Sequence, residues 1–475
     1  MIDFTLMKHQ DEAIFKAQFE KDLFLAWDMG TGKSCATIQV LRQKYGDEGR
    51  LMKTLILAPK VVLDNWKNEF KMFSKVPGNY IHILTGPVKK RAEFFKTMGG
   101  YSSIAVINYD ALQNTELVDA IAAWGPEIMV ADECHIIKNY QSKRAKNVAK
   151  IADLCRHRIL LSGTPILNNS MDLFMQYRVL DGGKTFGHNF FAFRSKYFYD
   201  KNAGWASKSG HFPDWQPRKG SYKALMTEIS KKTLRVEKKD CLDLPPYVEQ
   251  NLVVEMSPEQ KRIYKEMKEY FITYIKGEAS VATLAITKAL RLQQIVSGFV
   301  KTEDDKIHRI DKCPRLDALK DQLEILTKNH KVIVWACFKE NYKMIGEVCD
   351  QLGIRYAELH GGITEKDRKE ALRSFDCDDG MRVLCANQGA GGIGINIVRA
   401  SYSIYYSRGF KLADDLQSAA RNYRRGSEIH DKITRINIVA DNTIDGLIAE
   451  ALQKKLDLGN TFLDYVKENG SKYGL

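Results

Sequence analysis

The run Leu23-Phe24-Leu25-Ala26-Trp27-Asp28-Met29-Gly30-Thr31-Gly32-Lys33-Ser34 constrains the fold more than any other stretch of the chain. Its first four residues are apolar and of a length that suits a buried parallel strand. Behind the glycines, Ala36-Thr37-Ile38-Gln39-Val40-Leu41 reads as a helix. Strand, glycine turn and helix form the context of a phosphate-binding loop. Glycines let backbone N–H groups close around phosphate oxygens, and a helix N-terminus favours an anion. In such a loop Gly30, Thr31 and Gly32 form the cradle, Lys33 reaches the β- and γ-phosphates, and Ser34 ligates Mg²⁺. Trp27 stands where the general pattern has its first glycine. Taken alone, the stretch also fits a plain glycine turn ahead of a core helix.

The pattern around it favours the first reading. Strands are expected at Leu23–Ala26, Thr54–Ala58, Ile104–Asn108, Ile128–Ala131 and Arg158–Leu161, with helical patterns between them. Strands alternating with helices imply right-handed crossovers and a parallel sheet, whose ligands sit at the carboxyl ends of the strands. There the chain places Asp132-Glu133-Cys134-His135 and Ser162-Gly163-Thr164. Two adjacent acids at a strand end point in different directions. Asp132 can hold Mg²⁺, directly or through water, while Glu133 orients and deprotonates an attacking water.

The alternation fades between Ser170 and Asp311 and resumes at Lys331–Trp335, Arg382–Ala386, Tyr402–Tyr406 and Ile433–Val439. The second sheet this implies has no phosphate loop, which suggests one nucleotide completed from a second lobe. Gln417, Arg421 and Arg424 fall at i, i+4 and i+7, one face of a helix. Guanidinium groups aimed together neutralise charge on a γ-phosphate, with Arg424 as the finger and Arg421 beside it; a basic helix is also often just a solvated face. In the middle, residues 184–223 carry eleven aromatics and eight Lys/Arg against two acids. Such interleaving suits base stacking, or a small insertion whose rings form its own core. Ser257-Pro258-Glu259-Gln260 is a helix start. At 475 residues the chain is long enough for two or three domains. The divisions expected are lobe 1 (1–170), a helical and aromatic insertion of lobe 1 (171–240), a crossing linker with a helical insertion of lobe 2 (241–310), and lobe 2 (311–475).

The bulk properties narrow the partners. A formal charge of +13 favours a polyanion. No apolar run approaches the ~18–20 residues of a membrane span, so no membrane partner is expected. The start, Met1-Ile2-Asp3-Phe4, lacks a signal-peptide layout. The nine cysteines form no Cys-x-x-Cys pair, which indicates neither a zinc site nor a disulfide framework and fits a reducing, cytoplasmic compartment, with a nuclear one also open.

These pieces, in this order, resemble the motor of superfamily 2 helicases, and the Swi/Snf-type DNA translocases in particular. The resemblance rests on Asp132-Glu133-Cys134-His135-Ile136-Ile137-Lys138-Asn139, on Gly163-Thr164-Pro165-Ile166-Leu167-Asn168, and on Gln417-Ser418-Ala419-Ala420-Arg421-Asn422-Tyr423-Arg424-Arg425-Gly426. It is supported by Pro59 followed by Asn65-Trp66-Lys67-Asn68-Glu69-Phe70, by Lys8-His9-Gln10, and by Ala390-Gly391-Gly392-Ile393-Gly394-Ile395-Asn396. It implies two RecA-like parallel-sheet lobes with helical insertions, using ATP and Mg²⁺ on double-stranded or branched DNA. Gln10 then contacts adenine. Pro59, Lys60, Asn65, Trp66, Gly391, Gly392, Gly394 and Asn396 meet the nucleic acid, mainly through its backbone. His135, Ser162, Gly163 and Thr164 couple the two sites. Leu234-Arg235-Val236 leading to Leu244-Pro245-Pro246 resembles the family's crossing between lobes, with Val236 replacing an arginine. Asn387-Gln388-Gly389 departs from the usual Ser-Thr-Arg. A monomer that branch-migrates DNA or remodels forks is the specific expectation. The alternatives are an RNA helicase, a nucleotide-gated DNA-binding scaffold, and the motor of a restriction or defence complex.

Overall fold

The apolar runs become the inner strands of two parallel sheets, one in each of the compact units Met1–Leu242 and Asp243–Leu475. A computed structural model gives this fold and describes residues 5–163, 170–203, 213, 215–241, 243–276, 282–302, 306–391 and 397–453. The first unit contains β1 (Asp22–Trp27), β2 (Thr54–Ala58), β3 (Ile81–Leu84), β4 (Ile104–Asn108), β5 (Ile128–Asp132) and β6 (His157–Leu161). A short antiparallel pair follows, β7 (Phe198–Asp200) and β8 (Trp215–Pro217), and then β9 (Thr233–Val236). Apart from that pair, the strands lie in the order β3-β4-β2-β5-β6-β1-β9, all parallel. Parallel sheets are covered on both faces, and accordingly every residue of β1 and β2 is buried. Helices α1 (Lys8–Phe19), α2 (Lys33–Glu48) and α3 (Leu63–Phe73) bear on the site below.

The second unit contains β10 (Tyr247–Val254), the antiparallel pair β11 (Phe299–Lys301) and β12 (Ile307–Arg309), β13 (Lys331–Ala336), β14 (Arg355–Leu359), β15 (Met381–Asn387), β16 (Ala400–Tyr405) and β17 (Ile433–Ala440). Its six-stranded sheet runs β10-β17-β16-β13-β15-β14, again all parallel. The helix start at Ser257 is a reciprocal cap. Ser257 N donates to Gln260 Oε1 (3.0 Å) and Gln260 N to Ser257 Oγ (3.3 Å).

Two segments differ from expectation. Leu234-Arg235-Val236, read as part of the crossing, belongs to β9 and pairs with β1, Val236 opposite Trp27. Tyr247–Val254, read as linker, pairs with β17 over its whole length, from Tyr247↔Ile433 to Val254↔Ala440. Both are outermost strands. Neither is covered on both faces, so neither carries the continuous apolar run that marks the inner strands.

The aromatic window also resolves. Phe186, Phe193, Tyr197 and Phe198 join the main core of the first unit with Phe24 and Tyr177 instead of making a separate one. Trp205 lies outside the described residues. Among the described residues no helix is long and apolar enough to cross a membrane.

Candidate functional site

The turn after β1 has the geometry of a phosphate cradle. Gly30 (φ 85°) and Gly32 (φ 84°) are both left-handed, a conformation that costs other residues about 1–2 kcal/mol. This turn delivers the chain into α2 at Lys33, with Ser34 half-buried in its first turn. Lys33 Nζ donates to the carbonyls of Trp27 (2.8 Å) and Asp28 (3.1 Å). Thr31 Oγ1 donates to Asp28 O (2.8 Å). Trp27, in place of the first glycine, is a fully buried core ring with His9 edge-on to it at 4.6 Å.

α1 braces the loop from outside. His9 Nε2 lies 2.9 Å from Thr31 O, and Gln10 Nε2 donates to Gly32 O (3.2 Å). Gln10 Oε1 accepts from Met7 N (2.9 Å), so the side chain is fixed at both ends. A Cβ on Gly32 would stand 2.2 Å from Gln10 Nε2. Gly32→Ala therefore combines backbone strain with displacement of Gln10. It is expected to weaken nucleotide binding by about tenfold or more, read by titrating a fluorescent ATP analogue. Unchanged affinity would remove the loop from phosphate binding.

The acidic pair stands at the end of β5. Asp132 is the last strand residue, and Glu133 adopts φ 51°, ψ 52°, a left-handed turn rare for a side chain of its size. That turn separates the two carboxylates. Asp132 Oδ2 accepts from Trp66 Nε1 (3.1 Å), and its carbonyl accepts from Tyr109 OH (2.7 Å). Burial, then the charge of Glu133, push the Asp132 carboxyl above its ordinary range, while Lys33 and the Trp66 hydrogen bond pull part of the way back. A buried carboxylate so incompletely compensated suits a hard divalent cation. Among the described residues no cluster of three or more His, Cys, Asp or Glu could hold a metal. A cation here would need oxygens from a phosphate and water besides Asp132 and Ser34, as Mg²⁺ with a nucleotide has.

His135 and the end of β6 extend the site. His135 Nδ1 lies 3.3 Å from Glu133 Oε2. Ser162 is fully buried, and a Cβ on Gly163 would lie 3.2 Å from Met29 Cγ of the glycine turn. Thr164 and the rest of its motif lie outside the described residues. His135 also faces a groove of ≈ 480 Å³ with Pro59, Lys60, Tyr109, Lys138 and Arg144 on its walls. Lys138 is held by Asp172 (3.2 Å), and Arg144 pairs with Asp110.

One expected contact is corrected. Trp66 is 2% exposed, and with Leu63 and Phe70 it forms the buried face of α3. Its indole positions Asp132 and cannot lie against a nucleic acid. Asn65 is half-buried beside Glu69 (3.5 Å), whereas Lys60 is exposed.

In the second unit, β15 leads into a short helix, Gln388–Gly391; Gly392, Gly394 and Asn396 lie outside the described residues. Asn387 Nδ2 donates to Tyr342 OH (2.9 Å), and Gln388 Oε1 accepts from Gly409 N (2.9 Å). Both side chains thus bind inside their own lobe. The helix carrying Gln417 spans Leu412–Ala419 and stops before the arginines. The expectation of one helical face for Gln417, Arg421 and Arg424 is therefore corrected. The chain leaves the helix because Asn422 is drawn to the sheet, accepting from Ser403 Oγ (3.1 Å) and donating to Ala400 O (3.1 Å). The ring of Tyr423 packs on Tyr247 (4.7 Å). Arg421 is buried and its carbonyl accepts from Ile397 N (3.0 Å), while Arg424 is half-buried.

Beneath this turn lies an ion cluster that the sequence reading passed over. Asp415 pairs with Arg435 (2.8 Å) and Arg408 (3.2 Å), and Arg435 lies 3.8 Å over the ring of Tyr405. Burial works to raise the Asp415 carboxyl, but the two arginines outweigh it and hold it below its ordinary range. The signal was available: an arginine inside the buried run Ile433–Val439 needs a buried acid.

Residues 15–302 match the model of the SNF2-related domain, and residues 314–426 that of the helicase conserved C-terminal domain. The CHD3-type chromatin-remodeling factor PICKLE of Arabidopsis thaliana is 26% identical over 483 residues, 94% of this chain and 33% of that protein. An uncharacterized ATP-dependent helicase of Mycoplasma genitalium is 26% identical over 466 residues, 96% of this chain and 42% of that protein. The chain thus spans less than half the length of these curated relatives. The Sulfolobus solfataricus SWI2/SNF2 ATPase core in complex with dsDNA aligns with a TM-score of 0.43 at 22% identity, covering 99% of this chain and 96% of that one.

Proposed function

The chain belongs to the SNF2-related family, and on that premise we propose that it is an ATP-driven motor that moves along double-stranded or branched DNA. The observation that carries the reading is the set formed by Lys33, Asp132 and Glu133 at the carboxyl ends of β1 and β5. A pure scaffold has no need of a buried carboxylate beside a second, strained one.

ATP bound with Mg²⁺ supplies the phosphoryl group and neutralises part of its charge. Gly30, Thr31 and Gly32 offer backbone N–H groups to the phosphates, and Lys33 exchanges its loop carbonyls for phosphate oxygens. Asp132 and Ser34 would hold the cation, with phosphate and water oxygens completing its shell. Glu133 orients water and takes its proton, and Gln10 meets the base. Arg424, with Arg421 and Gln417, stabilises charge on the γ-phosphate. Lys60 and the groove beside His135 follow the DNA backbone without reading sequence. His135 touches both Glu133 and the groove and so reports one to the other. Branch migration or fork remodelling by a monomer is the specific activity proposed. None of the nine cysteines is in a disulfide, which suits a reducing compartment.

Steady-state ATP hydrolysis without nucleic acid, and with single-stranded DNA, duplex, a four-way junction or structured RNA, tests this reading. Stimulation by duplex or junction is expected, strongest with the junction. Stimulation by RNA alone would make the protein an RNA helicase, and no stimulation would contradict a DNA motor.

A further inference from the structure

Not all rings of the aromatic window enter the core. The helix Phe190–Tyr197 is capped by Asn189, whose Oδ1 accepts from Phe191 N (2.8 Å) and Ala192 N (3.2 Å). That cap starts a helix in which Phe190 packs against the core, edge-on to Phe174 at 5.4 Å, while Phe191 is left at the surface. Phe190 stacks face to face on Tyr140, with centroids 3.8 Å apart and planes 15° apart. Phe191 stands edge-on to Tyr140 and is 56% exposed. The Arg194 guanidinium lies over Trp215 at 3.8 Å and within 5.1 Å of the Phe191 ring. Its Nε is buried and has no hydrogen-bond partner among the described residues. An exposed ring beside a cation is the pairing that takes a base and its phosphate.

The platform is continuous with the groove. Lys138 and Asn139 wall the groove, and Tyr140 is the next residue along the chain. Residues 184–223 carry eight Lys/Arg against two acids, a composition that suits a polyanion.

We infer that this platform binds an unpaired nucleotide of a DNA strand whose duplex portion lies along the groove. The base stacks on Phe191, and its phosphate pairs with Arg194. The inference rests on the proposed DNA-motor reading and adds to it a preference for DNA carrying a single-stranded arm.

The test compares wild type with Phe191→Ala, Phe191→Leu and Phe191→Trp, measuring anisotropy with a plain duplex and with the same duplex bearing a short thymidine arm. Wild type and Phe191→Trp are expected to bind the armed duplex about 5- to 50-fold more tightly than the plain one. Phe191→Ala and Phe191→Leu should lose most of that preference while keeping plain-duplex affinity and duplex-stimulated hydrolysis. An arm containing 5-iododeoxyuridine, which photocrosslinks to a stacked ring, should link to Phe191 in the wild type. Retained preference in Phe191→Leu, or none in the wild type, would overturn the platform and leave the surface to a protein partner. A loss of plain-duplex binding equal to the loss of armed binding would overturn it too. Absence of duplex-stimulated hydrolysis in the wild type counts against the motor reading instead, so the two failures are told apart.

Discussion

Glu133→Gln is expected to lower duplex-stimulated ATP turnover by about 10²- to 10⁴-fold, the range for removing a positioned general base, while ATP and duplex still bind. The substitution keeps the shape of the side chain but replaces a carboxylate oxygen with an amide that cannot accept a proton from water. Glu133 holds a left-handed backbone conformation, and strain of about 1–3 kcal/mol at such a residue persists only where the surroundings enforce it. Glutamine inherits the same backbone, so the variant should fold as the wild type does. It also removes the charge that, after burial, does most to raise the Asp132 carboxyl. Asp132 should then ionise at lower pH in the nucleotide-free protein. Single-turnover hydrolysis and filter binding check both halves, and wild-type-like turnover would take Glu133 out of the role of base.

Arg424→Ala should have an effect of similar or larger size, about 10³- to 10⁵-fold in kcat, with ATP affinity changed only a few-fold. That is the signature of a guanidinium that acts on charge developing in the transition state. Arg424 is half-buried in a turn, so truncating it leaves no large cavity. Arg421, by contrast, is 6% exposed in a segment tied to the sheet. Arg421→Ala should therefore also lower the unfolding temperature, whereas Arg424→Ala should leave it nearly unchanged. An unchanged kcat for Arg424→Ala, with a normal melt, would remove it from the finger role. Arg424→Lys should rescue little, because a point charge does not reproduce a planar fork.

What the sequence revealed followed burial. All nine inner strands of the two sheets are legible as short apolar runs because both their faces are covered. The outer strands, β3, β9, β10 and β14, carry no such run. Tyr247–Val254, for instance, exposes four consecutive residues, Val248 to Asn251, and reads as linker. The glycine turn after β1 and the acidic pair after β5 stand out in the sequence because they place distinctive residues directly after apolar runs. Their supports do not. Trp66 carries the mark of a motif residue, yet its indole serves Asp132 from within the core. Tyr109 reaches the Asp132 carbonyl from the end of a different strand, a meeting that only the sheet order creates. The helix after Leu412 shows the limit of periodicity. A 3.6-residue spacing continues through Arg424 on paper, but the buried bonds of Asn422 end the helix at Ala419.

Hydrolysis alone does not distinguish a motor from a gated binder, so displacement of the third strand from a triplex is the most direct test of the central claim. The protein is mixed with a duplex carrying a bound third strand, and release is followed with and without ATP. ATP-dependent release by the wild type, absent in Glu133→Gln, is the predicted result. Robust duplex-stimulated hydrolysis without any release, or equal release by Glu133→Gln, would contradict movement along DNA driven by this site.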